Sequence, residues 1–186
     1  MGEVWRATHR LLARPAAVKL IRQQAEPGEA HDQIVRRFER EAQVTARLRS
    51  PHTVQLYDFG VNDTGTFYYV MELLQGLDLQ DIVNRFGPQV PERVIEILRQ
   101  ACRSLAAAHE HGLGHRDIKP ANLFVARLGN EYDYVKVLDF GIVKDQPASE
   151  GHDTQGSTLL SAPNLLKGTP AFMAPEVFLG EQPIDG

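Results

Sequence analysis

The first part of the chain alternates apolar and polar residues with the short period of β-strands. This alternation predicts strands at 4–8, 15–21, 53–59 and 66–73, each bounded by turn residues. Between the second and third strands, residues 32–49 carry apolar side chains at the spacing of one amphipathic helix face. We therefore expect a small, antiparallel four-stranded sheet with one helix.

After the fourth predicted strand the pattern changes to the longer period of helices. Helices are predicted at 77–86 and 91–112, and two short strands at 123–126 and 134–140. Residues 145–170 lose this periodicity and are rich in Pro, Ser, Thr, Gly and Asp. Loops of that length are uncommon in compact domains unless they have a function, so we expect a functional loop there.

Composition narrows the class of protein. The chain has 186 residues, of which 42% are hydrophobic and 24% charged, with a net charge of −4. These values are typical of a globular domain, and they favour neither nucleic-acid binding nor membrane contact by this segment. The single cysteine, Cys102, is expected to be a core residue in a reducing compartment. A cytoplasmic location follows, although the full-length protein could be membrane-anchored.

The candidate chemistry is concentrated in the octapeptide HRDIKPAN at 115–122. Asp117, Lys119 and Asn122 together can hold a hydroxyl, a phosphate and a divalent cation. A second carboxylate, Asp139, follows a predicted strand and precedes Phe-Gly. Carboxylate and amide oxygens suit Mg²⁺. The alternative is an ordinary charged surface loop.

Lys19 lies in the middle of an apolar predicted strand. A buried ammonium group without a counter-charge is costly, so we expect phosphate oxygens and one carboxylate nearby. Glu41, in the only helix that follows before the next strand, is the expected partner. The alternative for Glu41 is a solvated position on the helix surface.

Five motifs occur in one order along the chain: Gly2-Glu3-Val4, Ala17-Val18-Lys19, HRDIKPAN, Asp139-Phe140-Gly141, and the stretch from Gly168 to Glu176 that ends in A-P-E. In these motifs the chain resembles the catalytic domain of a eukaryotic-like (Hanks-type) serine/threonine protein kinase of the bacterial type. The resemblance implies an α+β, bilobal fold. Its small β-rich N-lobe with one helix would cover 1–74, and its mainly helical C-lobe would cover 75–186.

The domain is expected to be incomplete. Its first strand and most of the glycine-rich loop would precede Met1, and the C-lobe ends just after the A-P-E motif. A truncated domain of this kind would leave apolar faces of the long helix without cover.

The resemblance also implies a role for each matching residue. Asp117 would be the catalytic base and Lys119 would steady the γ-phosphate, while Asn122 and Asp139 would bind Mg²⁺, with Mn²⁺ as a possible substitute. Lys19 would contact the α- and β-phosphates and pair with Glu41. The implied ATP site comprises Gly2, Val4, Ala17, Lys19, Met71, Glu72, Leu74, Asp78 and Phe124. Within it, Met71 is the gatekeeper, Glu72 and Leu74 offer backbone bonds to adenine, and Asp78 is near the ribose.

The predicted long loop matches the activation segment of the family. Its hydroxyl residues, as candidates for regulation or substrate contact, are Thr154, Ser157, Thr158, Ser161 and Thr169. A phosphate added there would pair with Arg116, and a kinase dimer could add it in trans. Lys119 together with Thr169 favours serine and threonine substrates over tyrosine.

The preferred hypothesis is an ATP-dependent kinase that phosphorylates serine or threonine in a protein substrate. The first alternative is a truncated or pseudokinase-like fragment that binds nucleotide or a protein partner without turnover. The second is a small-molecule kinase of the same fold, which the A-P-E motif disfavours.

Overall fold

The structure is a computed structural model that describes residues 3–21, 31–140, 170–173 and 175. Its elements, in chain order, are β1 (Glu3–Thr8), β2 (Pro15–Ile21), α1 (His31–Arg47), β3 (Leu56–Val61), β4 (Phe67–Glu72), β5 (Gly76–Asp78), α2 (Leu79–Phe86), α3 (Pro91–His109), β6 (Leu123–Leu128) and β7 (Glu131–Val137). Single 3₁₀ turns cover Pro120–Asn122 and Pro170–Phe172.

The first four strands form one antiparallel sheet in the order β1-β2-β4-β3. The predicted antiparallel pairing is therefore confirmed. Helix α1 covers this sheet with Phe38, whose ring centroid lies 4.3 Å from that of Phe67 and 4.8 Å from that of Tyr69. These rings, together with Ala42 and Ile21, exclude water from the space between helix and sheet.

The second sheet has three antiparallel strands in the order β5-β6-β7, and α3 packs against β7. The apolar sides of these elements meet in a second core. Its fully buried members include Ile97, Ala108, Val135 and Val137. This core supports the loop between α3 and β6, where the predicted chemistry lies.

The start of α2 differs from the sequence prediction. Residues 76–78 form β5 rather than the first turn of a helix, because they pair with β6. Gly76 permits this pairing at a φ of +151°, and a Cβ atom there would lie 2.1 Å from the carbonyl oxygen of Val125. The helix then begins after Asp78, whose Oδ1 accepts a hydrogen bond of 2.8 Å from the Asp81 amide.

The prediction that Cys102 is a core residue is wrong, because its side chain is exposed. Ala101 and Ser104 face the core. Cys102 is the residue after Ala101, so it lies on the neighbouring face of α3. Ile95 and Leu98 lie on that outer face and are also exposed. Among the helices that the structure describes, none is long and apolar enough to span a membrane.

Residues 50–55 connect the two sheets. The Val54 amide donates to the Val137 carbonyl at 3.0 Å, and the Val137 amide donates to the His52 carbonyl at 2.7 Å. Thr53 shares a buried hydroxyl–hydroxyl bond of 2.7 Å with Ser104 of α3. The segment is thereby fixed to β7 and α3 by paired polar groups, which makes it a rigid junction.

Candidate active site

Lys19 extends from β2, the strand that lies between β1 and β4 in the first sheet. Its ammonium group forms an ion pair with Oδ2 of Asp139, the second residue after β7. The side chains of Lys19 and Asp139 are 22% and 41% exposed, so both charges remain accessible to a ligand. Glu41 lies in α1, but its side chain is outside the described set, so the predicted Lys19–Glu41 pair stays a prediction.

The predicted catalytic loop brings its three functional side chains together. Nδ2 of Asn122 donates to the main-chain oxygen of Asp117 at 2.8 Å and to its Oδ2 at 3.2 Å. The Lys119 ammonium lies 3.0 Å from the same carboxylate oxygen. The Asp117 side chain is 10% exposed, so these donors orient a carboxylate that has little contact with water.

His115 holds this loop against the end of β7. Its Nε2 lies 2.7 Å from the Leu138 carbonyl, and its Nδ1 lies 3.3 Å from the Asp117 amide. Since a carbonyl only accepts, Nε2 carries the proton and Nδ1 accepts from the amide. The imidazole is 3% exposed and contacts the ring of Phe140 at a centroid distance of 4.8 Å. The histidine therefore positions Asp117 relative to the strand that leads to Asp139.

Two residues of the site have unusual backbone conformations. Arg116 has a φ of +61° and Asp139 a φ of +57°, in the left-handed region that non-glycine residues seldom occupy. Each such residue costs about 1–3 kcal/mol and persists where the surroundings enforce it. The sequence carries no local signal for either conformation. Because Arg116 directly precedes Asp117, the two left-handed residues lie at or next to the two carboxylates of the site.

The donor set suits a divalent cation bound together with phosphate. Both donated bonds of Asn122 come from Nδ2, which leaves Oδ1 as a ligand atom, and Asp139 contributes a partly exposed carboxylate. Within the described ranges no cluster of three or more His, Cys, Asp or Glu residues could hold a metal by itself. Phosphate oxygens and water molecules would complete the shell, as is usual for Mg²⁺.

The predicted adenine-binding residues occupy neighbouring strands. Ala17, which is buried, pairs with Met71, and Glu72 is the last residue of β4. Phe124 of β6 lies opposite Asp78 of β5. The structure thus adds a role for Asp78, since its carboxylate caps α2.

The remaining predicted positions divide into two groups. Val4 lies in β1 opposite Lys19, and Leu74 lies in the connection between β4 and β5. The other predicted site residues lie outside the described residues: Gly2, Thr154, Ser157, Thr158, Ser161 and Thr169.

Sequence reasoning missed a second buried lysine. Lys136 of β7 pairs with Glu72 at 2.7 Å, and their side chains are only 11% and 17% exposed. The signal was available, because Lys136 lies in the apolar stretch YVKVLDF just as Lys19 lies in PAAVKLI. A lysine inside a buried strand requires a partner in both cases.

Comparison with known proteins identifies the family of this chain. The family described as "Protein kinase domain" matches residues 1–185. The chain is 37% identical over 182 residues to serine/threonine-protein kinase pkn3 of Myxococcus xanthus, covering 98% of this chain and 32% of that protein. It is 38% identical over 185 residues to serine/threonine-protein kinase PknB of Mycolicibacterium smegmatis, covering 97% and 27%.

Solved structures agree with this result. The crystal structure of the Mycobacterium tuberculosis PknI kinase domain matches with a TM-score of 0.66 and 29% identity, covering 100% of this chain and 61% of that one. A second structure of that domain matches with a TM-score of 0.60 and 33% identity, covering 79% and 56%.

The chain belongs to the protein kinase family, and its two sheets with their helices are part of the bilobal kinase fold. The predicted family and fold class are confirmed. The chain spans about a quarter to a third of the length of the curated relatives it matches. Those relatives are named serine/threonine-protein kinases. The family implies the use of ATP and a divalent metal.

Proposed function

We propose that this chain supplies the catalytic part of a serine/threonine protein kinase, which transfers the γ-phosphoryl group of ATP to a hydroxyl of a protein substrate. The observation that carries the proposal is the Asp117 carboxylate, which is held by Asn122 and Lys119 within one loop. The Lys19–Asp139 pair supplies a cationic group and a further carboxylate for the same site.

In the proposed reaction the substrate hydroxyl oxygen attacks the γ-phosphorus, ADP leaves, and Asp117 accepts the hydroxyl proton. The catalytic demand is positioning and neutralisation of charge rather than covalent chemistry. Lys119 would neutralise charge on the transferred phosphoryl group, and Lys19 would do so on the α- and β-phosphates. When bound, a divalent cation held by Asn122 and Asp139 would neutralise charge on the phosphate oxygens.

The finer expectations remain proposals that rest on the family resemblance. We propose Mg²⁺ as the working cation with Mn²⁺ as a substitute, a lobe boundary between residues 74 and 75, and a cytoplasmic location for this segment. We also propose that a dimer phosphorylates the activation segment in trans, at one of its Ser or Thr residues, and that Arg116 binds the new phosphate.

The proposal is tested by transfer of labelled phosphate. The parent chain and Asp117→Asn are incubated with γ-labelled ATP, Mg²⁺ and a basic protein, and nucleotide binding is measured in parallel. We expect transfer by the parent and a loss of at least about 100-fold in the variant, with ATP binding retained. Transfer that survives the substitution excludes Asp117 as the base. Binding without transfer by the parent would support the non-catalytic alternative.

A further inference from the structure

The ion pair between Glu72 and Lys136 joins the two sheets. Glu72 ends β4 in the first sheet, and Lys136 lies near the end of β7 in the second. Their charged atoms are 2.7 Å apart, and neither side chain is more than 17% exposed. The pair therefore connects elements that are distant in sequence through two largely desolvated charges.

Both charged groups also contact the junction segment of residues 50–55. The Gln55 amide donates to Oε1 of Glu72 at 2.8 Å, and Lys136 Nζ donates to the Thr53 carbonyl at 3.3 Å. The Glu72 amide in turn donates to the Gln55 carbonyl at 3.0 Å. Since several partners satisfy each group, the network defines one relative placement of β4, the junction and β7.

The two strands that meet here lead to opposite ends of the proposed nucleotide site. Glu72 lies at the point where the adenine would bind the main chain of residues 72–74. Lys136 is followed by Val137, Leu138 and then Asp139, the proposed cation ligand. A fixed Glu72–Lys136 distance therefore fixes the separation between the adenine end and the phosphate end of the site.

Stability alone gives a weak reason for this pair. Removing two charges from water is costly, and apolar residues of similar volume often replace a buried ion pair without loss of stability. A hydrogen-bonded charge pair restricts the distance and orientation of its two groups more narrowly than apolar contacts do. This property points to a role in geometry.

We propose that Glu72 and Lys136 are positioning residues for the nucleotide, which hold the adenine-binding segment in register with Asp139. The proposal rests on the proposed function, because it concerns where ATP binds. Neither side chain needs to touch ATP; each acts through the strand that carries it.

The test uses the parent chain with Glu72→Gln, Lys136→Met and the double variant. For each protein, KM for ATP, kcat and the midpoint of thermal unfolding are measured. Each single variant leaves a buried group without its counter-charge, so both the unfolding midpoint and ATP affinity should fall. We expect KM for ATP to rise about 10-fold while kcat changes much less, the pattern of lost binding geometry.

The double variant separates positioning from stability. It removes both charges, so its unfolding midpoint should return toward that of the parent, whereas KM for ATP should stay raised. Lys136→Arg keeps the positive charge, so its KM for ATP should lie closer to the parent value than that of Lys136→Met. If KM returns together with the midpoint, the pair is structural only and the proposal is wrong.

The control is Arg93→Gln, which breaks a more exposed ion pair on the same strand, with side chains 33% and 37% exposed. Arg93 donates two hydrogen bonds of 2.7 and 2.8 Å to Asp133. This aspartate is also on β7, but in the half of the strand away from Asp139. Its loss should lower the unfolding midpoint without changing KM for ATP; an equal rise in KM would contradict a specific role for Lys136. If the parent chain neither binds nor turns over ATP, the proposed function itself is wrong. If the parent is active and the folded single variants have an unchanged KM for ATP, only the positioning role is wrong.

Discussion

Lys19 and Asp139 form an ion pair that joins the middle of the first sheet to the second residue after β7. Their side chains are 22% and 41% exposed, so water screens much of the attraction. Partly exposed ion pairs contribute little to stability, about 0–1 kcal/mol. The pair therefore adds little to the stability of the fold, which is consistent with the proposed roles of Lys19 toward phosphate and of Asp139 toward a cation.

Lys19→Met should separate activity from stability. The substitution removes the cationic group of the proposed phosphate site, so we expect phosphate transfer to fall at least about 100-fold. The free energy of unfolding should change by less than about 1 kcal/mol. Initial rates of labelled-phosphate transfer and urea unfolding measure the two effects.

Arg85→Gln is the control for Lys19→Met. It breaks the exposed Arg85–Asp81 pair on α2, whose charged atoms are 3.2 Å apart, and it should leave both quantities unchanged. A Lys19→Met protein with parental transfer rates would remove Lys19 from the site.

His115→Phe should weaken both the loop and the reaction. An aromatic ring beside Phe140 is kept, but the Leu138 carbonyl and the Asp117 amide each lose a partner. We expect a loss of about 1–3 kcal/mol in the free energy of unfolding and a lower kcat, because Asp117 is less well oriented. Chemical unfolding and steady-state kinetics measure both.

The control for this change is His111→Ala. His111 is exposed, and its Nδ1 lies 2.9 Å from the Ala107 carbonyl at the end of its own helix. His111→Ala should therefore change kcat little. If His115→Phe has the same kcat as the parent, His115 does not position Asp117.

Gly76→Ala should be among the most damaging single changes in the described part of the chain. The new Cβ would lie 2.1 Å from the Val125 carbonyl oxygen, so β5 would have to separate from β6. Gly87→Ala provides a matched comparison, because Gly87 has a φ of +78° and nothing within 4 Å of the new Cβ. We expect about 1 kcal/mol for Gly87→Ala, the cost of conformation alone, and at least about 3 kcal/mol for Gly76→Ala. Equal losses in thermal unfolding would refute the steric explanation.

The Glu96 carboxyl should titrate at an unusually low pH. Hydrogen bonds from Arg99 and then from Gln100 lower the pKa of its carboxyl from 4.5 to about 2. A pKa lowered by folding adds stability that is present above the unfolded pKa and is lost as the pH falls from 4.5 toward 2. In Arg99→Gln, the Glu96 resonance should titrate closer to 4.5 by NMR. The stability difference between parent and variant should shrink over the same pH window, and a parental titration in the variant would refute the assignment.

Local sequence patterns predicted those elements whose own residues determine them. The strand at 15–21 and the helices α2 and α3 show clear periodicity, and the motif residues Asp117 and Asn122 meet as expected. Prediction failed where a distant segment decides the outcome. Residues 76–78 are a strand only because β6 lies beside them, and the exposure of Cys102 depends on which face of α3 meets β7.

The same reasoning explains the missed ion pair. Lys136 required a partner on physical grounds, but nothing in the sequence indicated which of the many carboxylates would reach it. Only the antiparallel register of the first sheet and the docking of residues 50–55 bring Glu72 to that position.

The junction between residues 50–55 and β7 has a consequence for local opening. The amides of Val54 and Val137 are engaged in bonds that cross between the two sheets, so neither can exchange its hydrogen while those bonds persist. Amides within the β1–β2 hairpin need only local fraying to exchange. In a deuterium-exchange experiment, these two valines would therefore report how often the two halves of the kinase fold part from each other.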